Sequence, residues 1–188
     1  FVRYAIVPWR DNVIGSAEQG EFALHCFRSI YGDVASNWEI RVSAGGFRRN
    51  SLASAVDVDM LRAVERTLAE RGISVASIQP NFMATCNRYR RELSGHASAS
   101  IAVLEPRRVT LGIYDRKGWR YLSTRRLATL GPKELVPVIA QELRSLDACD
   151  LPENLFVAAF GPTTNSFFRT RIEAWMLPSR TSIPEPVA

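Results

Sequence analysis

Apolar and polar positions along the chain fall into short periodic blocks, and the period changes from block to block. "RYAIVPW" (Arg3 to Trp9) alternates and predicts a strand ended by Pro8. In "SAEQGEFALHCFRSIYG" the period becomes helical. Ala23, Cys26, Phe27 and Ile30 form one stripe, Ser16 and Gln19 have capping-box spacing, and Gly32 is the stop. "NWEIRVSA" alternates again, with Trp38, Ile40 and Val42 on one face. A turn at "GGFRRNS" follows, and "LASAVD" predicts a buried strand. Asp57 is placed to cap "VDMLRAVERTLAERG", whose Leu61, Val64 and Leu68 are predicted to face inward and whose end is Gly72. "ISVASIQP" predicts another strand. Pro80 then suits the first turn of "NFMATCNRYRREL", where Phe82, Cys86, Tyr89 and Leu93 make a second stripe.

After a linker at "SGHAS", strands resume at Ala99–Glu105, Val109–Tyr114 and Trp119–Arg126, separated by turns at "EPRR" and "DRKG". A helix is predicted from about Pro132 to Leu146. In it Leu135, Val138, Ile139, Glu142, Leu143 and Leu146 keep helical spacing, and Pro137 predicts a kink or the true start. "NLFVAAFG" and "TRIEAWML" close the pattern as strands, and the tail "PSRTSIPEPVA" is Pro- and Ser-rich. Strands interleaved with amphipathic helices predict an α/β fold.

At this point particular stretches carry a resemblance. "LASAVDVDMLRAVERTLAERGISVASIQPNFMATCNRYRR", followed by "ASIAVLEPRRVTLGIYDRKGWRYLSTRRLA", resembles the PilM and GspL cytoplasmic-domain family of bacterial type IV pilus and type II secretion systems. The order of elements matches from about Ala5 to Gly161. The resemblance implies an actin-like fold built from two ribonuclease-H-like subdomains, with mixed sheets flanked by helices. It places a partial first subdomain at residues 1–95, a second at 96–178 and a loose tail at 179–188. The first residue is Phe1 rather than Met, and the opening in mid-pattern suggests a first hairpin lying upstream, in a longer parent chain.

Nucleotide-binding members of that superfamily carry D-x-G and then small or hydroxylated residues at the meander's first turn. The chemistry needs an Asp for the magnesium shell and free N–H groups facing phosphate. Here the stretch is "LEPRRVT": Leu104 or Glu105 stands for the Asp, Pro106 for the Gly, Arg107 and Arg108 for the small residues, and Thr110 alone matches. Near "VAAFGPTTNS" paired glycines are expected, and Gly161 is followed by Pro162. The expected site is therefore degenerate, with no cofactor. Were ATP and magnesium to bind, Arg107, Arg108, Thr110, Gly161 and Thr163 are the residues expected to hold them, the arginines through their side chains.

Composition changes this picture little. The chain has 188 residues, of which 46% are hydrophobic and 23% charged, ordinary values for a globular protein with a real core. No apolar run reaches the length of a membrane-spanning helix. The net charge of +5 rests almost wholly on arginine, since Lys117 and Lys133 are the only lysines. Doublets at Arg48-Arg49, Arg90-Arg91, Arg107-Arg108 and Arg125-Arg126 suggest an anionic partner such as nucleic acid or lipid. No run of like charge exceeds three residues, however, so solvated faces are the simpler account and nucleic acid is not the expected partner. Cys26, Cys86 and Cys149 have no metal or disulfide spacing and are expected to be small buried side chains.

The other candidate constellations are weak. His25 and Cys26 are adjacent on a helix, so their side chains diverge and do not make a nucleophile–base pair. His96 has no partner by spacing. Asp57 and Asp59 fit a cap and a first-turn carboxylate, and Asp147 and Asp150 carry no motif. In "CNRYRREL" helical spacing puts Tyr89 in the core stripe and Arg88 and Arg91 outside. Trp9, Trp38, Trp119 and Trp175 all fall in or beside predicted strands. No catalytic residue and no metal ligand is expected. The resemblance implies a non-enzymatic scaffold of an inner-membrane assembly, cytoplasmic or peripheral to that membrane, docking segments of partner proteins. The alternatives are an ATPase or small-molecule kinase of the same superfamily and, third, a basic nucleic-acid-binding protein.

Overall fold

The computed structural model describes residues 2–13, 15–128, 132–146, 151–160 and 165–172. Their architecture is α/β, and the chain divides into two compact units. The first holds residues 1–84 with Lys117–Trp119, and the second holds 85–116 with 120–188.

In the first unit β1 (Arg3–Val7), β2 (Trp38–Ser43) and β3 (Ser51–Asp57) form an antiparallel sheet in the order β1-β3-β2. Helix α1 (Ser16–Tyr31) covers one face. The cluster beneath it joins Ala23 and Phe27 to Ala5, Val7, Ala53 and Ala55, with Trp38, Ile40 and Val42 packed against its rim. So many alanines on the strands let the helix approach closely, and Phe27 fills the remaining volume against Trp38, with ring centroids 6.0 Å apart. Two details of α1 differ from expectation. The N-cap is Gly15, and Glu18 rather than Gln19 accepts from the cap N–H at 3.1 Å, so only the glutamate half of a box is made, one residue earlier. Ile30 lies outside the packed stripe, 62% exposed, because the chain turns into a 3₁₀ segment at Gly32–Asn37 whose Ala35 takes the buried place.

Asp57 caps α2 (Val58–Ala69) as predicted, its carboxylate accepting from the N–H groups of Asp59 and Met60. The inward-facing stripe expected on α2 is not found: no residue of the helix is buried, and Val64 is 40% exposed. The strand expected at Ile73–Pro80 is also absent. Those residues have no regular structure, and Ile73 and Ile78 stay exposed. A period of two specifies faces, but a strand also needs a neighbouring edge to bond to, which these residues do not have. The predicted long helix after Pro80 is two, α3 (Asn81–Arg88) and α4 (Arg90–Ser94), broken at Tyr89.

The second unit is a five-stranded mixed sheet in the order β6-β5-β4-β7-β8. It contains β4 (Ala99–Glu105), β5 (Arg108–Asp115), β6 (Gly118–Arg126), β7 (Asn154–Phe160) and β8 (Asn165–Arg171). β4 pairs antiparallel with β5 and parallel with β7, so the chain crosses over through α5 (Pro132–Arg144). The unit thus runs as a meander, a crossover helix and a strand parallel to the meander's first member. Helix α5 runs through Pro137, whose exposed position leaves the missing hydrogen bond on the solvent side. Leu135, Ile139 and Leu143 pack on Leu104, Leu111, Leu155 and Val157 on one face of the sheet. On the other, Phe156 meets His96 and Phe167, and Tyr89 stacks on Phe167 with centroids 3.5 Å apart. The last described strand is Asn165–Arg171; of "TRIEAWML" only residues 170–172 are described, and the rest lies outside the described residues.

Candidate functional site

The turn between β4 and β5 is the place where a phosphate is expected to sit. Glu105 and Arg108 are register partners, which leaves Pro106 and Arg107 as a two-residue connection. Proline holds φ near −65°, and Arg107 has φ 66°, a pairing that suits a type II turn with its positive φ at the third residue. Arginine carries a steric cost in that left-handed region where glycine would not. Pro106 supplies no N–H, and the carbonyl of Arg107 accepts from Leu127 N–H at 2.9 Å. The turn is thereby fastened to the end of β6, the strand that carries Arg125 and Arg126.

Thr110, the one residue matching the nucleotide pattern, is 1% exposed, and its hydroxyl lies 3.1 Å from that of Thr124 on β6. It is spent on cross-strand pairing. Arg107 is exposed and Arg108 half-buried. Gly161 and Thr163 lie outside the described residues, as do Asp147, Asp150, Cys149 and Trp175.

A second constellation was not singled out by sequence. Glu142 on α5 is 5% exposed and accepts from Tyr121 Oη and from Arg125 Nε, the latter at 2.6 Å. Burial pushes the Glu142 carboxyl up, but hydrogen bonds from Ser123, Tyr121 and Arg125, with the Arg125 charge, outweigh it and hold it below the usual range. Burial, then the bond to Glu142, raises the Tyr121 phenol. A carboxylate so fully engaged is a clamp between α5 and β6, poorly placed to take a proton from a substrate. Its signal in the sequence was a charge inside an apolar stripe, between Ile139 and Leu143.

The remaining titratable candidates are structural. Burial pushes the Cys86 thiol up to about 12, and burial raises Cys26 against the lowering effect of Arg10. Both are half-buried rather than fully enclosed. Tyr114 is pushed up to about 12 by burial and then by Cys86, and its hydroxyl donates to the Leu93 carbonyl. His25 stacks on Phe22 and His96 leans on Phe156. Among the described residues no three His, Cys, Asp or Glu side chains gather as a metal site, and no helix is long and apolar enough to cross a membrane. The first unit also has a groove of about 530 Å³, with Val56, Leu61, Val75 and Ile78 on its walls and Arg41 and Glu65 at its rim.

The course of the chain is similar to that of three solved structures. One is the cytoplasmic domain of EpsL, an inner membrane component of the type II secretion system of Vibrio cholerae. It has 13% identity and a TM-score of 0.49, over 86% of this chain and 58% of that one. Another is a PilM–PilN type IV pilus biogenesis complex, with 15% identity and a TM-score of 0.48, over 78% of this chain and 44% of that one. The third is a protein of unknown function with an actin-like ATPase fold from Bacteroides thetaiotaomicron, with 9% identity and a TM-score of 0.48, over 86% and 57%. The likeness is to PilM, EpsL and an actin-like fold. This chain spans about half the length of each. No family model and no curated protein matches the sequence.

Proposed function

We propose that this chain is a non-enzymatic scaffold whose actin-like frame has lost ATP binding, serving an inner-membrane assembly of the type IV pilus or type II secretion kind. The carrying observation is the β4–β5 turn. A proline with no N–H and an arginine in left-handed geometry occupy the connection, and the Arg107 carbonyl is engaged by Leu127. The buried Thr110 hydroxyl has Thr124 beside it. Phosphate binding by backbone requires several amides converging on one point with room above them, and this turn supports neither condition. The partners on this reading are protein segments, and the uncovered apolar stripe of α2 is a surface of the kind such segments cover. The two-subdomain division and the cytoplasmic, membrane-peripheral location belong to the same proposal.

Titration calorimetry with ATP and magnesium at millimolar ligand tests it. The expected result is no saturable heat. A saturating isotherm overturns the scaffold reading in favour of a nucleotide-binding ATPase or kinase.

A further inference from the structure

The loop from Ser43 to Ser51 joins β2 to β3 and carries Phe47 at its tip, 75% exposed. A lone exposed phenylalanine is unremarkable; this one is held out by its surroundings. Gly45 has no room for a Cβ against the Asn50 carbonyl, and Gly46 has φ +92°. Arg48 sits at φ 54°, a left-handed position that arginine takes at a cost. Gly45 N–H donates to Ser51 Oγ at 3.1 Å and Arg49 N–H to the Gly46 carbonyl at 3.2 Å. The loop is a tight, bonded structure that displays its largest apolar side chain.

A cation lies against that side chain, and a second follows it in the chain. The Arg48 guanidinium lies 5.3 Å from the centre of the Phe47 ring. Trp9 packs edge-on against Phe47 at 5.3 Å, while the neighbouring Arg10 turns its guanidinium to Phe22, 4.9 Å from that ring's centre. Asn50 N–H, at the base of the loop, donates to the Lys117 carbonyl, which brings the backbone of residues 117–118 beside Arg49. No acid occurs from Ser43 to Ser51. Asp11, two residues after Trp9, accepts from Trp9 Nε1 at 3.1 Å.

We propose that this tip is a docking point for an anionic phospholipid bilayer, with Phe47 entering the headgroup boundary while Arg48 and Arg49 meet lipid phosphates. An apolar side chain flanked by long cationic ones is the chemistry of an interfacial anchor. Each cation near an anionic surface strengthens binding about fivefold, and the attraction fades within a Debye length. The shape favours lipid over single-stranded nucleic acid, which is bound by a row of aromatics along a groove rather than by one ring on a protruding tip. The inference goes beyond the scaffold reading and stands independently of nucleotide binding.

The test is flotation of the 188-residue chain with vesicles of phosphatidylcholine alone and with about a quarter phosphatidylglycerol, the fraction chosen to give a negative surface potential. Binding is expected to the anionic vesicles, to weaken at high salt, to fall about tenfold in Phe47→Ala and several-fold in Arg48→Asn, and to persist in Phe47→Trp. Asparagine tolerates the left-handed position, so the second variant removes charge without added strain. Equal binding by Phe47→Ala, no preference for anionic vesicles, or Phe47-dependent binding of a single-stranded oligonucleotide without vesicle binding overturns the proposal.

Discussion

Gly118 passes so close to Asn50 that a Cβ on it would lie 2.8 Å from the Asn50 nitrogen, with the Arg49 side chain a further 0.4 Å away at 3.2 Å. The approach lets Asn50 N–H donate to the Lys117 carbonyl at 2.8 Å and Asn50 Nδ2 donate to the Trp119 carbonyl at 3.0 Å. Its Oδ1 accepts from Trp9 N–H at 3.2 Å. One asparagine therefore fastens β1's exit, the start of β3 and residues 117–119 within the first unit.

Gly118→Ala is expected to cost about 2–4 kcal/mol in urea denaturation, since a φ of +93° and a backbone clash both oppose the methyl. Gly20→Ala is the control, because its added Cβ meets nothing within 4 Å in the middle of α1, and it is expected to stabilise by roughly 0.5–1 kcal/mol. Two equal effects would show that the close approach at Asn50 is absent.

Ser100 lies fully buried in β4, and its hydroxyl has no hydrogen-bond partner among the described residues. An unsatisfied buried hydroxyl costs about 1–3 kcal/mol, and alanine fits the same space. Ser100→Ala is expected to raise stability by about 1 kcal/mol, as measured by the denaturation midpoint at unchanged slope. A loss of stability would mean that the hydroxyl has a partner.

The meander of the second unit was legible to within a residue at each strand. Pro106-Arg107 and Lys117-Gly118 mark turns locally, and a hairpin's register follows from its turn. The Asp57 cap was legible for the same local reason. What failed depended on distant partners. The helix after Pro80 breaks at Tyr89, whose ring stacks on Phe167 far along the chain. The Ile73–Pro80 alternation gave no hint that no strand edge would receive it. Of the candidate site, the missing N–H of Pro106 was readable from residue type. The burial of Thr110 against Thr124 and the clamp on Glu142 were not, because both depend on which face of β6 its neighbouring elements cover, and residue types alone do not give that.

Glu142 sets the acid limb of stability. Its folded pKa lies below the unfolded value, so its contribution is present above the ordinary glutamate pKa of about 4.3 and is lost as pH falls through the depressed folded value. Thermal unfolding of the native chain is expected to weaken on acidification through that window, with Glu142→Gln showing a flatter acid limb. At the basic end the sign reverses. Tyr114 has its folded pKa raised to about 12, so its contribution is intact below about pH 10 and disappears as pH rises towards 12. Tyr114→Phe is expected to flatten that limb. Identical acid limbs for the native chain and Glu142→Gln would remove the clamp.

The thiols give an independent check on packing. Burial holds Cys86 protonated to about pH 12, whereas Cys26 is raised with Arg10 opposing the shift. Since the thiolate is the reacting species, Cys26 is expected to alkylate before Cys86 at pH 8. Peptide-resolved mass spectrometry of a labelling time course distinguishes the two sites. Equal rates in the native chain would contradict the buried setting of Cys86.

The stripe on α2 is where local pattern and packing part company, and stability measurements decide what the stripe is. Leu61, Val64 and Leu68 recur as core positions do, yet the helix buries none of them, and Val64 and Ile78 are 40% and 46% exposed. If that face is uncovered in solution, polar substitutions there remove little buried area. Val64→Asn and Ile78→Ser are each expected to change stability by no more than about 0.5–1 kcal/mol. Phe27→Ala, which empties a site with no solvent exposure, is expected to cost about 3–5 kcal/mol. The same two variants are expected to weaken capture of a partner segment if the groove beside Leu61 and Ile78 receives one, so small stability effects are the condition for reading a binding loss as binding. Core-sized losses at Val64 and Ile78 would mean that the chain itself covers the stripe, leaving no apolar face for a partner.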